Sequence, residues 1–293
     1  MRLLAISNPK AGLSRIRLGS PLDKLRKTFD AAGIDWHLHL TTGPGDATRV
    51  AHEAERNGFD CVVAAGGDGT INEVVNGVVG TSVSLGVVPL GTENVLAREM
   101  GVPIQVERAC RHVLETEPRA LDVGKAGGRH FICFMGVGFD AHVAYHLPAK
   151  RKAALGALGY LLTSLEKFQE YHVKSRKMSL KIGNTEVNLD FWLLLVGNIQ
   201  TYGGRFRTAP KARPDDGLLD LCLLPRTTYP ETVRQLLGTV TGKHIDLPGV
   251  QYYQVPRFSV TTDPVERIQL DGELVGETPV EVEVLPGAIK ARF

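Results

Sequence analysis

A glycine-rich turn between an apolar run and a helical pattern constrains the fold most. Cys61 to Ala65 is typical of a buried strand, and Gly66-Gly67-Asp68-Gly69-Thr70 follows it directly. A helical pattern occupies Ile71 to Gly77. Glycines let the backbone approach phosphate oxygens, and a helix start presents N–H groups and a positive dipole end. The turn therefore predicts a phosphate site, with a tight strand–helix turn capped by Asp68 as the alternative.

Strands and helices alternate through the first third of the chain. Strands are predicted at Leu3 to Ser7, Trp36 to Leu40, Cys61 to Ala65 and Leu85 to Val88. Helices are predicted at Leu18 to Ala32, Asp46 to Asn57, Ile71 to Gly77 and Glu93 to Met100, with Asp46 as an N-cap. This order indicates an α/β domain with a doubly wound parallel sheet, whose ligands bind beyond the carboxyl ends of the strands.

The pattern changes near residue 121, where strands begin to dominate. They are predicted at Ala120 to Val123, Phe131 to Val137, Met178 to Ile182, Val187 to Val196, Leu219 to Leu224, Phe258 to Thr261, Arg267 to Leu270 and Val280 to Val284. Helices are predicted at Ala153 to Tyr171 and Tyr229 to Thr241. A β-sandwich-like second domain over residues 123–284 therefore follows a first domain over residues 1–122.

Composition narrows the class of protein. A chain of 293 residues suits one large or two ordinary domains, and its net charge of +2 is too small for the basic footprint of a nucleic-acid binder. The four cysteines are far apart in apolar surroundings, which predicts buried reduced thiols rather than a zinc site. No run approaches the ~20 apolar residues of a spanning helix. We therefore expect a cytoplasmic protein without a signal peptide.

Two further loops favour a nucleotide cleft. Asn8-Pro9-Lys10-Ala11-Gly12 ends the first strand, and Pro89-Leu90-Gly91-Thr92-Glu93-Asn94 ends the fourth. In a parallel sheet both loops lie on the same rim as the glycine-rich turn. The chain has no GxxxxGK[ST] sequence, and the turn is not GxGxxG, so a P-loop and a Rossmann fingerprint are disfavoured.

These three segments resemble successive motifs of the diacylglycerol kinase catalytic family, which includes bacterial lipid kinases and the sphingosine and ceramide kinases. The resemblance continues through Ala209-Pro210-Lys211-Ala212, Asp216-Gly217-Leu218-Leu219-Asp220 and Leu270-Asp271-Gly272-Glu273. It implies that ATP lies in a cleft between the two domains and that residues 285–293 return to the first domain. One departure is Val95, where many members have Asp.

The resemblance also implies a set of nucleotide contacts. They are Asn8, Pro9, Lys10, Ala11, Gly12, Thr41, Gly66, Gly67, Asp68, Gly69, Thr70, Ile71, Asn72 and Thr92. Because a carboxylate repels phosphate, Asp68 makes sense if it acts on a cation or a proton near the phosphates, or if it orients the loop. We therefore count Asp68 among the catalytic candidates.

Phosphoryl transfer also calls for Mg²⁺ on the ATP phosphates and a base for the acceptor hydroxyl. The resemblance implies a second, structural Mg²⁺, bound by the Asp216 carboxylate and by the backbone oxygens of Arg213 and Leu218. A solvated Asp-Gly turn is the alternative there. The family places its proton acceptor in the Asp271-Gly272-Glu273 string. We choose Asp271 first and Glu273 second, against the alternative of a plain hairpin turn.

The helix predicted at Ala153 to Tyr171 has an apolar stripe with basic flanks. The stripe comprises Leu155, Leu158, Leu162, Leu165 and Phe168, and the flanks comprise Lys150, Arg151, Lys152, Lys174, Arg176 and Lys177. This combination suits peripheral contact with an anionic membrane. There are two alternatives to membrane contact: the helix packs on the sandwich, or its apolar stripe forms the wall of an acyl-chain pocket.

The sequence as a whole predicts an ATP-dependent lipid kinase that transfers the γ-phosphate to a lipid hydroxyl, as diacylglycerol kinases do. An NAD kinase-like enzyme with a soluble dinucleotide acceptor is one alternative, and a nucleotide-binding regulatory protein without turnover is another. Diacylglycerol, monoacylglycerol, phosphatidylglycerol and a sphingoid base all stay open as acceptors. The sequence does not fix the oligomeric state, for which a homodimer is one option.

Overall fold

The structure is a computed structural model that describes residues 1–9, 20–148, 151, 157–203 and 206–293. Several residues named above lie outside these ranges: Lys10, Ala11, Gly12, Leu18, Lys150, Lys152, Ala153 and Leu155. The chain forms two compact units, Met1–Val123 with Gly287–Phe293, and Gly124–Pro286. The sequence placed the boundary between residues 122 and 123 and the returning segment at 285–293.

The first unit contains a parallel sheet, as predicted. Its strands are β1 (Arg2–Ser7), β2 (Asp35–Leu40), β3 (Cys61–Gly66) and β4 (Ser84–Pro89). They pair in parallel in the order β2-β1-β3-β4, and Lys290 and Ala291 add a parallel pairing to β4. The carboxyl ends of the four strands therefore lie at one rim of the sheet. Strands β3 and β4 are buried along their whole length, which explains their unbroken apolar sequences.

The described part of the first unit contains five helices, of which the first three connect these strands and the last two follow β4. They are α1 (Pro21–Ala31), α2 (Asp46–Glu53), α3 (Asp68–Val78), α4 (Val95–Glu99) and α5 (Val106–Glu115). The predicted N-cap of α2 is wrong, because the cap is Gly45 at φ 80° and Asp46 is the first helical residue. The Asp46 carboxylate instead accepts a hydrogen bond from the Thr42 N–H and contacts His39, each at 2.9 Å.

The second unit is predominantly antiparallel, as predicted. Two of its strands also include residues that belong to the first unit. The strands in chain order are β5 (Arg119–Ala126), β6 (Arg129–Phe131), β7 (Phe134–Gly138), β8 (Lys177–Ile182), β9 (Thr185–Gly197), β10 (Leu219–Pro225), β11 (Gln251–Val255), β12 (Arg257–Asp263), β13 (Arg267–Leu270), β14 (Glu273–Glu277) and β15 (Val280–Ala291). The long β9 pairs with β8 along its first half and with β7 and β10 along its second.

Alternate residues of β9 enter two hydrophobic clusters. Leu194 and Val196 belong to the core between the strands, whereas Leu193 and Leu195 face outward. The outward cluster is covered by α6 (Phe139–His146) and α7 (Ala157–His172), and α8 (Tyr229–Thr241) lies beside it. Strand alternation thus explains how one strand supports both the core and a helical layer. All four cysteines are buried free thiols, as predicted.

Candidate functional site

Two loops at the rim of the first unit touch through their backbones. The glycine loop (residues 66–70) follows β3, and the asparagine loop (residues 89–94) follows β4. The Leu90 N–H donates to the Gly66 carbonyl at 2.8 Å. A Cβ on Gly91 would lie 2.6 Å from the Cα of Gly67, closer than such atoms approach in real structures. The close contact therefore requires glycine at position 91.

Asp68 joins these two loops. Its Oδ1 accepts a hydrogen bond from the Val95 N–H at 2.7 Å, and the backbones of Leu96 and Asn94 also contribute. Burial raises the pKa of the Asp68 carboxyl, and these backbone hydrogen bonds oppose that shift. The carboxylate thus satisfies N–H groups at the start of α4 and orients the loop. Because Val95 contributes a backbone N–H, its lack of a carboxylate does not disturb this interaction.

Asn94 fixes the shape of the asparagine loop, a role that the sequence did not reveal. It adopts a left-handed conformation at φ 50° and is fully buried. Its side-chain amide accepts from the Gly91 N–H and donates to the Gly91 carbonyl, both at 2.9 Å. Asparagine tolerates this left-handed conformation better than most residues. An Asn three positions after a glycine of the loop was the sequence signal that could have indicated this role.

The other predicted nucleotide residues divide between exposed and buried positions. Asn8 and Pro9 are exposed just after β1, and Thr92 is exposed in the asparagine loop. The Thr41 N–H donates to the Ser7 carbonyl at 2.9 Å, which places Thr41 beside the end of β1. In contrast, the side chains of Ile71 and Asn72 lie inside the unit. The rim therefore exposes the β1, β3 and β4 loops, while these two side chains of α3 face inward.

The predicted metal turn is an exposed loop of the second unit. The Leu218 N–H donates to Asp216 Oδ1 at 3.0 Å, and Gly217 has φ 73°. Arg213 is also exposed. Downstream, burial raises the pKa of Asp220 to about 6. No group of three or more His, Cys, Asp or Glu side chains that would hold a metal ion is found among the described residues.

The Asp271-Gly272-Glu273 turn connects β13 to β14 in a tight hairpin. Asp271 and Gly272 have φ values of 47° and 84°, and the flanking Leu270 and Glu273 are paired. Positive φ at both central residues is what a type I′ turn requires, and Asp-Gly is a preferred sequence for it. The hairpin turn expected as the alternative for Asp271-Gly272-Glu273 is therefore present. The surroundings of its two carboxylates then determine which of them can reach a substrate.

Both carboxylate oxygens of Asp271 are occupied by backbone donors. Oδ2 accepts from Ile132 N–H at 2.9 Å, and Oδ1 accepts from Cys133 and Phe134 N–H at 3.0 and 2.8 Å. These bonds tie the turn to the segment between β6 and β7. Glu273 differs, because its side chain is 45% exposed and contacts Arg129 Nη2 at 3.2 Å.

The apolar side of α7 is exposed. Four leucines present at least a third of their surface: Leu158, Leu161, Leu162 and Leu165. Phe168 departs from the predicted stripe, because its ring packs against Phe139 at 5.6 Å. Arg176 departs from the predicted basic flank, because it is buried in an ion pair with Glu266 at 2.5 Å. One side of α7 therefore packs on the unit, as one alternative expected, and the other side is exposed.

A second apolar surface lies on α8. Its exposed apolar side chains are Tyr229, Val233, Leu236, Leu237 and Val240. The rings of Phe168 and Tyr229 are 5.1 Å apart, so the two helices adjoin. No helix in the described ranges is long and apolar enough to cross a membrane.

Comparison with known proteins matches two family models along the chain. The diacylglycerol kinase catalytic domain matches residues 2–126. The YegS C-terminal NAD kinase beta sandwich-like domain matches residues 133–292. Together they span both units, and they confirm the resemblance and the fold class expected from the sequence.

Individual relatives are similar over nearly their full length. The diacylglycerol kinase of Bacillus subtilis (strain 168) is 33% identical over 283 residues, covering 96% of this chain and 92% of the relative. A protein of Chromohalobacter salexigens named "Probable lipid kinase YegS-like" is 34% identical over 262 residues, covering 88% and 84%. A diacylglycerol kinase crystal structure from Bacillus anthracis str. Sterne superposes with a TM-score of 0.83 at 27% identity, covering 100% and 96%.

Proposed function

The chain belongs to the diacylglycerol kinase catalytic family of lipid kinases, and from this premise we propose that it transfers the γ-phosphate of ATP to the hydroxyl of a diacylglycerol-like lipid. The observation that carries the proposal is the contact between the glycine loop and the asparagine loop, held by Asp68. This arrangement leaves the first turn of α3 at the rim of a parallel sheet, where phosphates bind. We assign nucleotide binding to the first unit and lipid binding to the second.

Residues of the glycine loop bind the ATP phosphates through their backbone. Gly69 supports this role, because a Cβ built there meets no atom of the described residues within 4 Å. Packing against the described residues therefore does not require glycine at that position. An approaching phosphate supplies a reason for it, since glycine allows the closest backbone approach. The rim is completed on the neighbouring loops by the exposed Asn8, Pro9 and Thr92 and by the half-buried Thr41.

Magnesium has two proposed roles. With ATP, it neutralises phosphate charge, which is the main electrostatic requirement of phosphoryl transfer. At the Asp216 turn, the donor set fits a hard cation, because it combines an exposed carboxylate with the carbonyls of Arg213 and Leu218. The ion at this turn would hold the loop before β10 and supply no chemical step.

We assign proton acceptance to Glu273 rather than to Asp271. A general base must reach the hydroxyl whose proton it removes. Both oxygens of Asp271 already accept backbone hydrogen bonds, whereas the Glu273 carboxylate is exposed and can exchange Arg129 for a substrate. Asp271 then acts by fixing the turn on which Glu273 lies. This reverses the preference that the sequence alone suggested.

We call the exposed apolar residues of α7 and α8 together the lipid face, and this surface brings the enzyme to a membrane that holds its substrate. Helix α7, which exposes its leucines, adjoins α8, which exposes its own apolar residues, and exposed basic side chains lie on or just beyond these helices. These basic residues are Lys174, Lys177, Arg234 and Lys243. Apolar surface bordered by basic residues suits an anionic bilayer, at about 1 kcal/mol per basic residue near the surface.

The activity is tested by transfer of labelled γ-phosphate from ATP to lipids in mixed micelles. The panel contains diacylglycerol, monoacylglycerol, phosphatidylglycerol and sphingosine, with NAD as a soluble acceptor and a reaction without acceptor as the control. We expect Mg²⁺-dependent labelling of diacylglycerol. Labelling of NAD alone would favour an NAD kinase-like enzyme, and tight ATP binding without labelling of any acceptor would favour a regulatory protein.

Membrane contact is tested by sedimentation with vesicles that contain anionic phospholipid. The variant Leu165→Glu places a charge on the lipid face, and Leu40→Glu places one on an exposed leucine of the first unit. Binding should fall about tenfold or more for Leu165→Glu, because the leucine side chain alone contributes about 1.5–3 kcal/mol when buried. Equal binding by both variants would contradict a membrane role for this surface.

A further inference from the structure

A buried carboxylate in α6 lies at the centre of a hydrogen-bond network. Asp140 is 5% exposed. Its Oδ1 accepts from the hydroxyls of Tyr160 and Tyr202, the latter at 2.7 Å, and its Oδ2 accepts from Gln269 Nε2 at 2.6 Å. A Cβ on Gly136 would overlap Asp140 Oδ2, so the glycine leaves the space that the carboxylate occupies.

Gln269 extends this network to the turn that carries Glu273. Its side chain is fully buried in β13, and its Oε1 accepts from the Gly272 N–H at 2.6 Å. Because its amide nitrogen faces Asp140, the direction of the whole side chain is fixed. The turn is therefore held on one side by Asp271 and on the other by Gln269.

Tyr160 extends the network to the lipid face. It lies on α7, the helix whose opposite side exposes Leu158, Leu161 and Leu165. Hydrogen bonds thus run from α7 through Tyr160, Asp140 and Gln269 to the backbone of the turn. Tyr202 donates to the same carboxylate oxygen from outside α7, so Tyr160 is the member of this network that connects the helix.

Stability alone does not account for a charged group at this position. A carboxylate removed from water is costly, and well-packed apolar residues often replace buried polar groups with no loss of stability. Burial raises the pKa of Asp140 and also raises that of both tyrosines. A fully satisfied buried network does, however, fix the orientation of its members.

We propose that Asp140 and Gln269 are positioning residues that hold the turn bearing Glu273, and that Tyr160 links this turn to the lipid-contacting helix. The inference rests on the proposed role of Glu273. Catalytic groups must be held within about 0.5 Å of their productive position, so a small displacement of the turn lowers kcat. Docking of α7 on lipid orders Tyr160 and, through it, the turn.

A reciprocal exchange of donor and acceptor tests the network. In Asp140→Asn, the new amide N–H faces the Gln269 amide N–H, and in Gln269→Glu two carboxylates face each other. We expect kcat to fall about 10- to 100-fold in each single variant, with the KM for ATP unchanged. The double variant is complementary again, because the new carboxylate at position 269 accepts from the new amide at position 140 and from the Gly272 N–H. Its kcat should recover to within about threefold of the wild type.

A second experiment, in the Glu273→Gln variant, separates a positioning role from a general effect on stability. In Glu273→Gln, the base is absent, so adding Asp140→Asn should lower kcat by less than about twofold. Thermal unfolding of each variant confirms that the compared enzymes are folded. A full-size further loss in this background, or a double exchange variant without recovery, would overturn the positioning role. Wild-type kcat in Glu273→Gln alone would instead contradict the proposed base.

The link to the lipid face is tested by comparing two tyrosine variants. Each is assayed with long-chain diacylglycerol in micelles and with monomeric short-chain diacylglycerol. Tyr202→Phe should lower kcat for both substrates by the same factor. Tyr160→Phe should lower kcat mainly for the micellar substrate, so its ratio of micellar to monomeric kcat falls by about threefold or more relative to the wild-type ratio. A wild-type ratio in Tyr160→Phe would overturn the link to α7.

Discussion

Asp68 in the first unit and Asp271 in the second perform similar structural work in different surroundings. Each lies in a glycine-containing string and accepts backbone N–H groups from another segment. Beside Asp68, the backbone of Gly69 is exposed and uncrowded. Beside Asp271, the Gly272 N–H is already bound to Gln269. One loop keeps its backbone open, and the other has its backbone engaged by side chains.

This difference indicates what each loop offers a substrate. An open backbone at a helix start suits an anion, which binds to N–H groups. A turn fixed from both sides suits a catalytic side chain, since the backbone that carries Glu273 is then held in one position. The two aspartates therefore position these features, and neither needs to take part directly in proton transfer. The predictions that follow test this division, beginning with the largest effect.

Among the glycine variants of the first unit, Gly91→Ala should have the largest effect on turnover of ATP. The added Cβ would lie 2.6 Å from the Gly67 Cα and 2.8 Å from Asn94 Oδ1, so the two loops must separate. Because the phosphate site depends on their contact, kcat/KM for ATP should fall about 100-fold or more, which is the scale for a roughly 1 Å misplacement. Steady-state kinetics measure this loss.

Gly43→Ala is the matched control for that variant. It also adds a methyl group to a rim loop of the first unit, but a Cβ at Gly43 meets none of the described residues within 4 Å. Its kinetics should match the wild type. Similar losses in both variants would show that the contact between Gly67 and Gly91 does not matter to the site.

Gly69→Ala should produce a smaller and more selective effect. No atom in the part of the chain that the structure describes opposes the methyl group, so the melting temperature should change by no more than about 2 °C. If phosphate approaches this backbone, the methyl group reduces ATP affinity about tenfold, or about 1.4 kcal/mol. Calorimetric titration with ATP gives the affinity. Unchanged affinity would place the phosphates elsewhere on the rim.

A further effect, on stability rather than on ATP binding or turnover, concerns the pH dependence of the second unit. Burial, with a further contribution from His146, lowers the pKa of His142 from 6.5 to about 4. The unfolded chain therefore takes up the proton first, and stability is lost as pH falls from about 6.5 to 4. After allowance for partial exposure, the loss is about 1–2 kcal/mol. Urea unfolding at pH 7 and pH 4.5 should show this loss reduced in His142→Gln, and an unchanged loss would contradict it.

The features that could be predicted from the sequence are those with local signals. The apolar runs of β1, β3 and β4 and the loops after them were visible locally, so the parallel sheet and its rim could be predicted. Helix α5 was also visible in principle, because Val106, Ala109, Cys110 and Val113 have helical spacing. The Asp-Gly pair likewise indicated the hairpin turn.

What the sequence could not provide was the partner of each polar group. Asp140 and Gln269 are 129 positions apart, and Asp271 and Ile132 are 139 apart. No local period reports such contacts, since they depend on tertiary packing. Asp271 therefore resembled a base until its three backbone donors were placed, and Asp140 gave no signal. Arg176 likewise resembled a surface charge before Glu266 was found beside it.

The most direct test of the proposed base compares Glu273→Gln with Asp271→Asn. We expect Glu273→Gln to lower kcat about 10²–10⁴-fold while ATP affinity and melting temperature stay at wild-type values. Asp271→Asn leaves a backbone donor without its acceptor, which costs about 1–3 kcal/mol of stability, and should lower kcat less. A larger kcat loss in Asp271→Asn at unchanged stability, with near-normal turnover in Glu273→Gln, would contradict the assignment of the base.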